Sequence, residues 1–559
     1  MARFIVITGG VISTVGKGAL GASICQLIES QGYRVTAVKI DPYINIDAGT
    51  MRPTEHGEVF VTSDGFETDQ DLGNYERFSS MITTRDNSLT TGQIYLQVIE
   101  DERKGKYEGK CVEVIPHIPL EIMRRLRETA EKNRADAVVV EVGGTVGEYQ
   151  IFPFAEAARR MAFEGDTVVF IHVGYLPIPS RIQEQKSKPL QRSVFDLMAI
   201  GIKPDFIAGR SSIPMDGQRK QKIASNCGIR PENIISVHDV DFIYEIPLLL
   251  EKQEFGKKLM KKLGLRYEKS GLFEEWRKMC ARVTAANEPL KIGIIGKYFD
   301  TGNFVLEDSY ISVIEAVKHA AWHNARKPEI TFFDSKEFEE NPDALAKLDG
   351  LDGVIVPGGF GKSGIEGKIS AINRARKNGI PFLGICLGLQ LAVIEFARNE
   401  CIFSNANSTE FDEGTPNNVI DILPEQKIML EEKRFGASMR LGNFTAKLKR
   451  GSLVQKLYGA ETATERHRHR YEVNNAFRPF MEQAGLIVSG INEEKGLAEY
   501  VELSQSVHPF FIATQAHPEF NSRFMKPNAL FSGLVLAAIK RESKRLSAKI
   551  PNETAKTEN

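Results

Sequence analysis

Cysteine is scarce in this chain: Cys25, Cys111, Cys227, Cys280, Cys386 and Cys401 are the six among 559 residues, and no two form a C-x-x-C pair. That excludes a disulfide scaffold, offers no zinc-ligand spacing and fits a reducing cytoplasm. Long apolar runs are also missing. Nothing approaches the roughly 18 uninterrupted apolar residues a membrane helix needs. The apolar opening, Phe4 to Val15, is interrupted by Gly9 and Gly10, is followed by Gly16 and Lys17, and has no basic leader. It reads as a buried strand feeding a glycine-rich turn, not as a signal peptide. An excess of either charge is absent too: 72 basic against 73 acidic residues leave a formal charge of -1. This excludes a polycation built to coat nucleic acid and a polyacidic tail protein. Neither a fixed-period repeat nor a low-complexity tract is visible.

What remains is a globular composition, 42% hydrophobic and 26% charged, long enough for two to four domains at roughly 100–200 residues each. Two halves separate on pattern. In residues 1–265, apolar runs at Phe4–Thr8, Arg34–Ile40, Ala137–Val142 and Thr167–Val173 read as strands of a parallel sheet. Between the first two, Leu20, Ile24, Leu27 and Ile28 share one helical face. Residues 266–289 are polar and charge-rich and read as a linker with a helix-compatible run at Leu272–Val283. From 290 to about 545 the alternation restarts, with strands expected at Lys291–Ile295, Ile330–Phe333, Gly353–Val356, Pro381–Ile385 and Phe510–Thr514. A polar tail, 546–559, is expected to be disordered. The expected fold class is α/β, two doubly wound parallel-sheet domains in tandem.

The first constellation follows the opening strand: Thr8-Gly9-Gly10-Val11-Ile12-Ser13-Thr14-Val15-Gly16-Lys17-Gly18 leads into a helix. Glycines let backbone N–H groups turn onto a phosphate chain, and the helix N-terminus adds positive charge. Lys17 is placed to neutralise a β or γ oxygen. The spacing departs from the standard P-loop, with five residues between Gly10 and Gly16 and with Gly18 where Ser or Thr is usual. A plain strand–helix turn with a surface lysine is the competing reading. Lys39 and Asp41 end the next strand, where parallel sheets gather ligands. Asp71 and Glu141 follow turn or strand signals; beside a triphosphate, such carboxylates hold Mg²⁺, and elsewhere they are solvated or capping acids. Lys186 and Lys188, with Arg210 and Lys222 downstream, either form an exposed basic face or cradle a second triphosphate.

The second constellation is Gly384-Ile385-Cys386-Leu387-Gly388, a G-x-C-x-G turn between an apolar strand and a helical run. Flanking glycines permit the sharp nucleophile elbow, and the helix N-terminus favours thiolate. Downstream, His517 is placed to take the thiol proton and Glu519 to orient the imidazole, giving Cys, His and Glu in that chain order. The Gly359 and Leu387 N–H groups are candidates for an oxyanion hole. A buried structural thiol and a core histidine are the bland alternatives. The other five cysteines lack such partners. In Arg466-His467-Arg468-His469-Arg470-Tyr471, two histidines without a third ligand argue weakly for zinc, and nucleic-acid binding is no better supported. An arginine there suits a substrate carboxylate.

A P-loop-like half followed by a Cys-His-Glu half resembles the CTP synthase family, glutamine-dependent amidotransferases that convert UTP to CTP. The resemblance spans about residues 2–545 and rests on long strings: Lys39-Ile40-Asp41-Pro42-Tyr43-Ile44-Asn45, His56 through Val61, Asn74-Tyr75-Glu76-Arg77-Phe78, Glu113 through Ile118, Asn405 through Glu410, and Arg466 through Asn474. It implies a P-loop-like synthetase domain followed by a class I glutaminase. ATP then falls on Thr14, Val15, Gly16, Lys17, Gly18, Ala19 and Asp71 and on His238, Asp239 and Val240, with Mg²⁺ on Asp71 and Glu141. UTP falls on Ser13, on Lys186, Ser187, Lys188, Pro189, Leu190 and Gln191, and on Lys222. Inhibitory CTP reaches Glu148, Tyr149 and Gln150. Glutamine falls on Gly359, Leu387, Gly388, Leu389, Gln390, Glu410 and Arg470, with Glu410 at the α-ammonium and Arg470 at the α-carboxylate. The family further implies internal passage of ammonia, a homotetramer, GTP activation and CTP feedback inhibition. It implies no nucleic-acid or membrane partner.

Four departures from the family pattern stand out. The segment Gln183 to Ser193 keeps the phosphate lysines but has Leu190 where the family has threonine. Gln150 replaces one of an acidic pair. Ser363 takes the place of an arginine in the lid Gly361-Lys362-Ser363-Gly364, and Ala516 replaces a phenylalanine beside His517. Two readings compete with an active CTP synthase. One is another ATP-dependent amidotransferase, such as a cobyrinate amidase, which Lys186 and Lys188 oppose. The other is a non-catalytic nucleotide-sensing scaffold that polymerises, which the intact Cys386, His517, Glu519, Asp71 and Glu141 oppose.

Overall fold

Residues 2–51, 57–181, 184–268, 271–296, 307–422 and 439–549 are described by a computed structural model. They divide into two units: Met1–Ala48 with Asp71–Cys280, and Gly49–Gln70 with Ala281–Asn559.

The first unit is built on β1 (Arg3–Gly10) and β2 (Val35–Asp41). The next two strands, β3 (Val59–Val61) and β4 (Glu67–Asp69), form an antiparallel hairpin that belongs to the second unit. The first sheet continues with β5 (Ser88–Thr90), β6 (Ala137–Val142), β7 (Thr167–Tyr175), β8 (Phe206–Ser211) and β9 (Ile234–His238). Its order is β5-β2-β6-β1-β7-β8-β9, and every neighbouring pair is parallel. A parallel sheet is covered on both faces, so its inner strands are apolar throughout instead of alternating. In β1 the two faces go to different cores. Phe4 and Val6 join Val38, Val140 and Ile122 in one. Ile7 faces the other side, where it meets the helix Lys17–Ser30 near Gly21. Leu20, Ile24, Leu27 and Ile28 of that helix are all buried, as their spacing predicts.

The second unit has a nine-stranded sheet. Its strands are β10 (Glu288–Gly296), β11 (Arg326–Asp334), β12 (Gly353–Val356), β13 (Phe382–Ile385), β16 (Arg440–Leu448), β17 (Thr462–His469), β19 (Ile487–Asn492), β20 (Leu497–Glu502) and β21 (Phe511–Thr514). β14 (Ala406–Ser408), β15 (Asn417–Ile422) and β18 (Tyr471–Val473) make a small separate sheet. The order β11-β10-β12-β13-β21-β20-β19-β16-β17 is parallel as far as β21 and antiparallel from there on. This corrects the expectation of a second all-parallel sheet. In the antiparallel part β19 and β20 are joined by a short turn, as antiparallel neighbours can be, whereas the connection from β16 to β17 carries the helix Leu453–Tyr458. Helices still cover both faces of the parallel part: Val354 and Val356 of β12 face one core, and Ile355 faces the other.

The helical run expected within 266–289 is present, and the start of the expected tail shifts. The linker at 266–289 contains the helix Gly271–Ala285, and its Trp276 donates its indole N–H to the Tyr244 carbonyl at 2.9 Å within the first unit. The expected tail beginning at 546 is still helical to Lys549, because Ala529–Lys549 is one continuous helix whose apolar face packs on the core through Leu530, Leu534 and Ala538. Residues 550–559 lie outside the described residues, as do His56 and Gln183.

Candidate active sites

In the first unit, the loop after β1 turns through Val11 (φ 80°) and Gly16 (φ 92°) before the helix begins at Lys17. A left-handed β-branched residue is strained, and strain of this kind collects at functional turns. Ser13 and Thr14 are exposed on the loop, and Val15 is buried beneath it. Lys17 is buried and folds back across Gly9, where a Cβ would lie 2.8 Å from its Nζ. The ammonium donates to the Gly144 carbonyl at 3.0 Å. Burial lowers its pKa, against the pull of Glu141 and Asp71.

Asp71 and Glu141 converge from different elements on one point: both reach within 4 Å of where a Cβ on Gly18 would stand. Lys39 contacts Asp71 directly and Asp41 at 3.3 Å, and the Tyr75 hydroxyl donates to Glu141 at 2.6 Å. Burial raises the Glu141 pKa. It works against the charge of Asp71 too, but there the Lys39 ammonium outweighs it and holds the carboxyl low. Two carboxylates beside a phosphate loop fit Mg²⁺, an all-oxygen ion that keeps several ligands from water and phosphate. Among the described residues no group of three or more His, Cys, Asp or Glu side chains is placed to form an all-protein metal cage.

His238, Asp239 and Val240 end β9 and begin the loop beyond it. The Arg210 guanidinium lies within 3.4 Å of the Gly16 Cβ position and pairs with Asp239 at 2.5 Å. Arg210 therefore belongs beside the phosphate loop, whereas sequence grouped it with the second set of lysines. Lys186 and Ser187 lead into the helix Lys188–Ala199, where Lys188 is exposed and Gln191 donates to the Ser187 hydroxyl at 3.1 Å. Leu190 is fully buried in a core with Leu176, Val194 and Ile207, so only its backbone can meet a ligand. Lys222 is exposed on the helix Gly217–Cys227. Glu148, Tyr149 and Gln150 are exposed, with Gln150 bonded to Glu148 at 2.9 Å.

In the second unit Cys386 has φ 52° and ψ -102°, a backbone state L-residues avoid. The elbow is fixed by its own N–H, which donates to the Thr514 carbonyl at 2.7 Å, and by the helix Leu387–Glu400 that follows. His517 meets Cys386 above Gly358: a Cβ there would stand 2.8 Å from the imidazole Cε1 and 3.5 Å from the Cys386 Cβ. The Glu519 carboxylate lies 2.6 Å from His517 Nδ1, and Phe520 stacks on the ring. Burial opposes a charged imidazole, but Glu519 and Cys386 outweigh it and raise the His517 pKa to about 10.

The cavity at Cys386 is small, about 70 Å³, and is lined by Gly358, Gly359, Phe360, Arg468, His517 and Glu519 together with Glu58 and Val59 of the hairpin. Sequence quoted the hairpin residues only as part of a family string. The structure gives them a place. Phe60 packs edge-on against Phe520, Arg466 lies over Phe60, and Glu67 pairs with Arg468 at 2.8 Å. Glu410 accepts the Gly361 N–H at 3.0 Å, and burial lowers the Arg470 pKa. Gln390 donates to the Tyr471 carbonyl at 2.9 Å. Leu389 is buried in the core, and Gly388 lies hard against the Val356 carbonyl, so both serve the elbow's packing. Ser363 is exposed in the lid, and Ala516 is buried.

A family profile described as CTP synthase N-terminus matches residues 3–265, and one described as glutamine amidotransferase class-I matches residues 305–537. The CTP synthase of Methanosarcina acetivorans is 50% identical over 540 residues, covering 96% of this chain and 98% of that one. That of Pyrococcus abyssi is 49% identical over 541 residues, covering 96% and 98%. That of Methanococcus aeolicus is 47% identical over 551 residues, covering 97% and 100%. With both family profiles matched in tandem, and about half its residues shared with these relatives over nearly their full length, the chain belongs to the CTP synthase family.

Proposed function

We propose that this chain makes CTP from UTP, ATP and glutamine, and that the residues described above divide the work between its two units. The observation that carries this reading is the joint presence of the Cys386–His517–Glu519 array and of Lys17, Asp71 and Glu141 beneath one glycine-rich loop.

Cys386 Sγ attacks the carboxamide carbon of glutamine, and the developing oxyanion is held by the N–H groups of Gly359 and Leu387. His517 gives its proton to the departing nitrogen, Glu519 keeps the imidazole oriented, and water then clears the thioester to release glutamate. Glu410 and Arg470 take the α-ammonium and α-carboxylate. In the first unit the loop from Thr14 to Ala19, with His238, Asp239 and Val240, holds ATP, and Ser13 and Lys186 to Gln191 with Lys222 hold UTP. The γ-phosphoryl group passes to the uracil 4-oxygen, ammonia adds at C4, and phosphate leaves. Atoms balance as ATP, UTP, glutamine and water giving ADP, phosphate, CTP and glutamate. Lys17 and Lys39 offset the charge of the moving phosphoryl group, a reaction in which positioning and electrostatics supply most of the acceleration. Asp71 and Glu141 would hold Mg²⁺, which neutralises phosphate charge.

Ammonia reaches the phosphorylated pyrimidine internally, since in bulk water it would be protonated. The working form is a homotetramer in the cytoplasm, activated by GTP and inhibited by CTP. Among the described residues no helix is long and apolar enough to cross a membrane. Incubation with UTP, ATP and amide-¹⁵N-glutamine is expected to give CTP labelled at the exocyclic amine; absence of CTP at saturating substrates would remove the reading. A Ser363→Arg variant restores the family's lid arginine. It is expected to lower the GTP concentration for half-maximal activation by about tenfold, the worth of one charge-assisted hydrogen bond. An unchanged titration curve would exclude the lid from GTP response.

A further inference from the structure

Gln515 stands two residues before His517, just past the end of β21, and is completely buried. β21 lies beside β13 with Thr514 opposite Ile385, so the residue after each strand, Gln515 and Cys386, comes to the same end of the sheet. The backbone holds both in place. Cys386 N–H donates to the Thr514 carbonyl at 2.7 Å, and Gln515 N–H donates to the Glu499 carbonyl at 2.9 Å. The side-chain amide of Gln515 then reaches the sulfur, with Nε2 3.8 Å from Cys386 Sγ. Which end of that amide faces the sulfur is set from behind. Gln390 donates one amide hydrogen to the Tyr471 carbonyl at 2.9 Å, which keeps its nitrogen, not its oxygen, toward Gln515. The second hydrogen of that nitrogen is donated to Gln515 Oε1 at 3.5 Å. Gln515 therefore turns its own amide nitrogen, a donor only, to Cys386.

A thiol and a thiolate need different neighbours. The Cys386 S–H donates to the Arg468 carbonyl at 3.7 Å, a partner that serves the neutral form alone. Away from water, a sulfur anion needs a donor in place of the hydration it gives up. We propose that Gln515 is a further catalytic residue of glutamine hydrolysis: its side-chain N–H donates to the Cys386 sulfur and holds it as the thiolate, aimed at the carboxamide carbon, once the thiol proton has passed to His517. The proposal rests on the assignment of Cys386 as the nucleophile for glutamine. The hydrogen bond is charge-assisted only while the sulfur is anionic, so it favours the reactive form over the resting thiol. As the S–C bond forms, charge leaves the sulfur for the carboxamide oxygen and the oxyanion donors take it up. The carboxamide C–N bond then breaks, and the nitrogen leaves with the proton from His517.

The test compares full-length wild type with Gln515→Met, which keeps the length and loses the donor, and Gln515→Glu, which keeps the shape and puts a carboxylate in the donor's place. Mass spectrometry of the peptide carrying Cys386 follows its alkylation by iodoacetamide across a pH series without glutamine, and glutamate release gives kcat/KM. Wild type must release glutamate and be alkylated at Cys386; if it does not, the assignment of the nucleophile fails, independently of Gln515. Given that, alkylation at neutral pH is expected to slow about tenfold in Gln515→Met, the worth of one charge-assisted hydrogen bond. In Gln515→Glu it is expected to slow about a hundredfold, because a carboxylate opposes the anion. Both variants recover the wild-type rate as the pH is raised, and kcat/KM falls in step with alkylation. Alkylation profiles that superimpose on wild type in both variants, whatever the melting temperature does, would reduce Gln515 to packing and overturn the proposal. So would a slow rate that raised pH does not restore, which reports blocked access, or a Gln515→Glu variant faster than Gln515→Met. Should either variant fail to fold, the other decides by its alkylation profile.

Discussion

A Cys386→Ala variant loses glutamine-dependent CTP synthesis by about a thousandfold or more and keeps synthesis from ammonium salts within about twofold of wild type. The loss is large because no neighbouring group replaces the nucleophile: His517 and Glu519 move protons but cannot form the thioester. The effect is selective because external ammonia bypasses this step. Alanine is tolerated at the elbow only with the backbone strain of φ 52° already present there, so the melting temperature serves as a control. Parallel assays with glutamine and with ammonium chloride at raised pH check the result. Loss of both activities in a folded variant would mean that Cys386 does more than release ammonia, and the division of labour between the units would fail.

The complementary change is Lys17→Met, which keeps the length and apolar body of the side chain and deletes its charge. Synthesis from glutamine and from ammonia is expected to fall together, by about 10²- to 10³-fold, the usual cost of removing one preorganised electrostatic contact to a developing charge. Lys17 is suited to that role because it is held over Gly9 by the Gly144 carbonyl and shares its surroundings with Glu141 and Asp71. Little reorganisation is needed at the moment of transfer. Steady-state rates with both nitrogen sources, alongside glutamate release, locate the defect. Glutamate release that persists while CTP disappears places it at phosphoryl transfer. A variant that loses only the glutamine-dependent reaction would show that the lysine belongs to a different step.

Much of this was legible from sequence because it depends on neighbours along the chain. A glycine-rich turn between an apolar strand and a helix, or G-x-C-x-G in the same context, dictates local backbone shape, and the structure has Lys17 and Cys386 at those turns. His517 and Glu519 are two residues apart, so their contact too is nearly local. Sequence did less well wherever a role depends on what packs behind a side chain. Leu190 and Leu389 lie within segments assigned to ligands, yet their side chains fill cores. Period alone does not say which face of a helix meets the ligand.

By itself, then, the sequence determined the α/β alternation, the two chemical turns and the short-range partners of each, since apolar period and glycine placement act over a few residues. Only tertiary structure decided that the second sheet turns antiparallel beyond β21 and that Asp71 and Glu141 converge at Gly18. It also decided that Arg210 reaches the phosphate loop, that the β3–β4 hairpin lines the cysteine's cavity, and that Gln515 reaches the Cys386 sulfur. Each of these brings together groups distant in sequence, and which distant surfaces meet is settled by the packing of whole elements, not by the residues on either side.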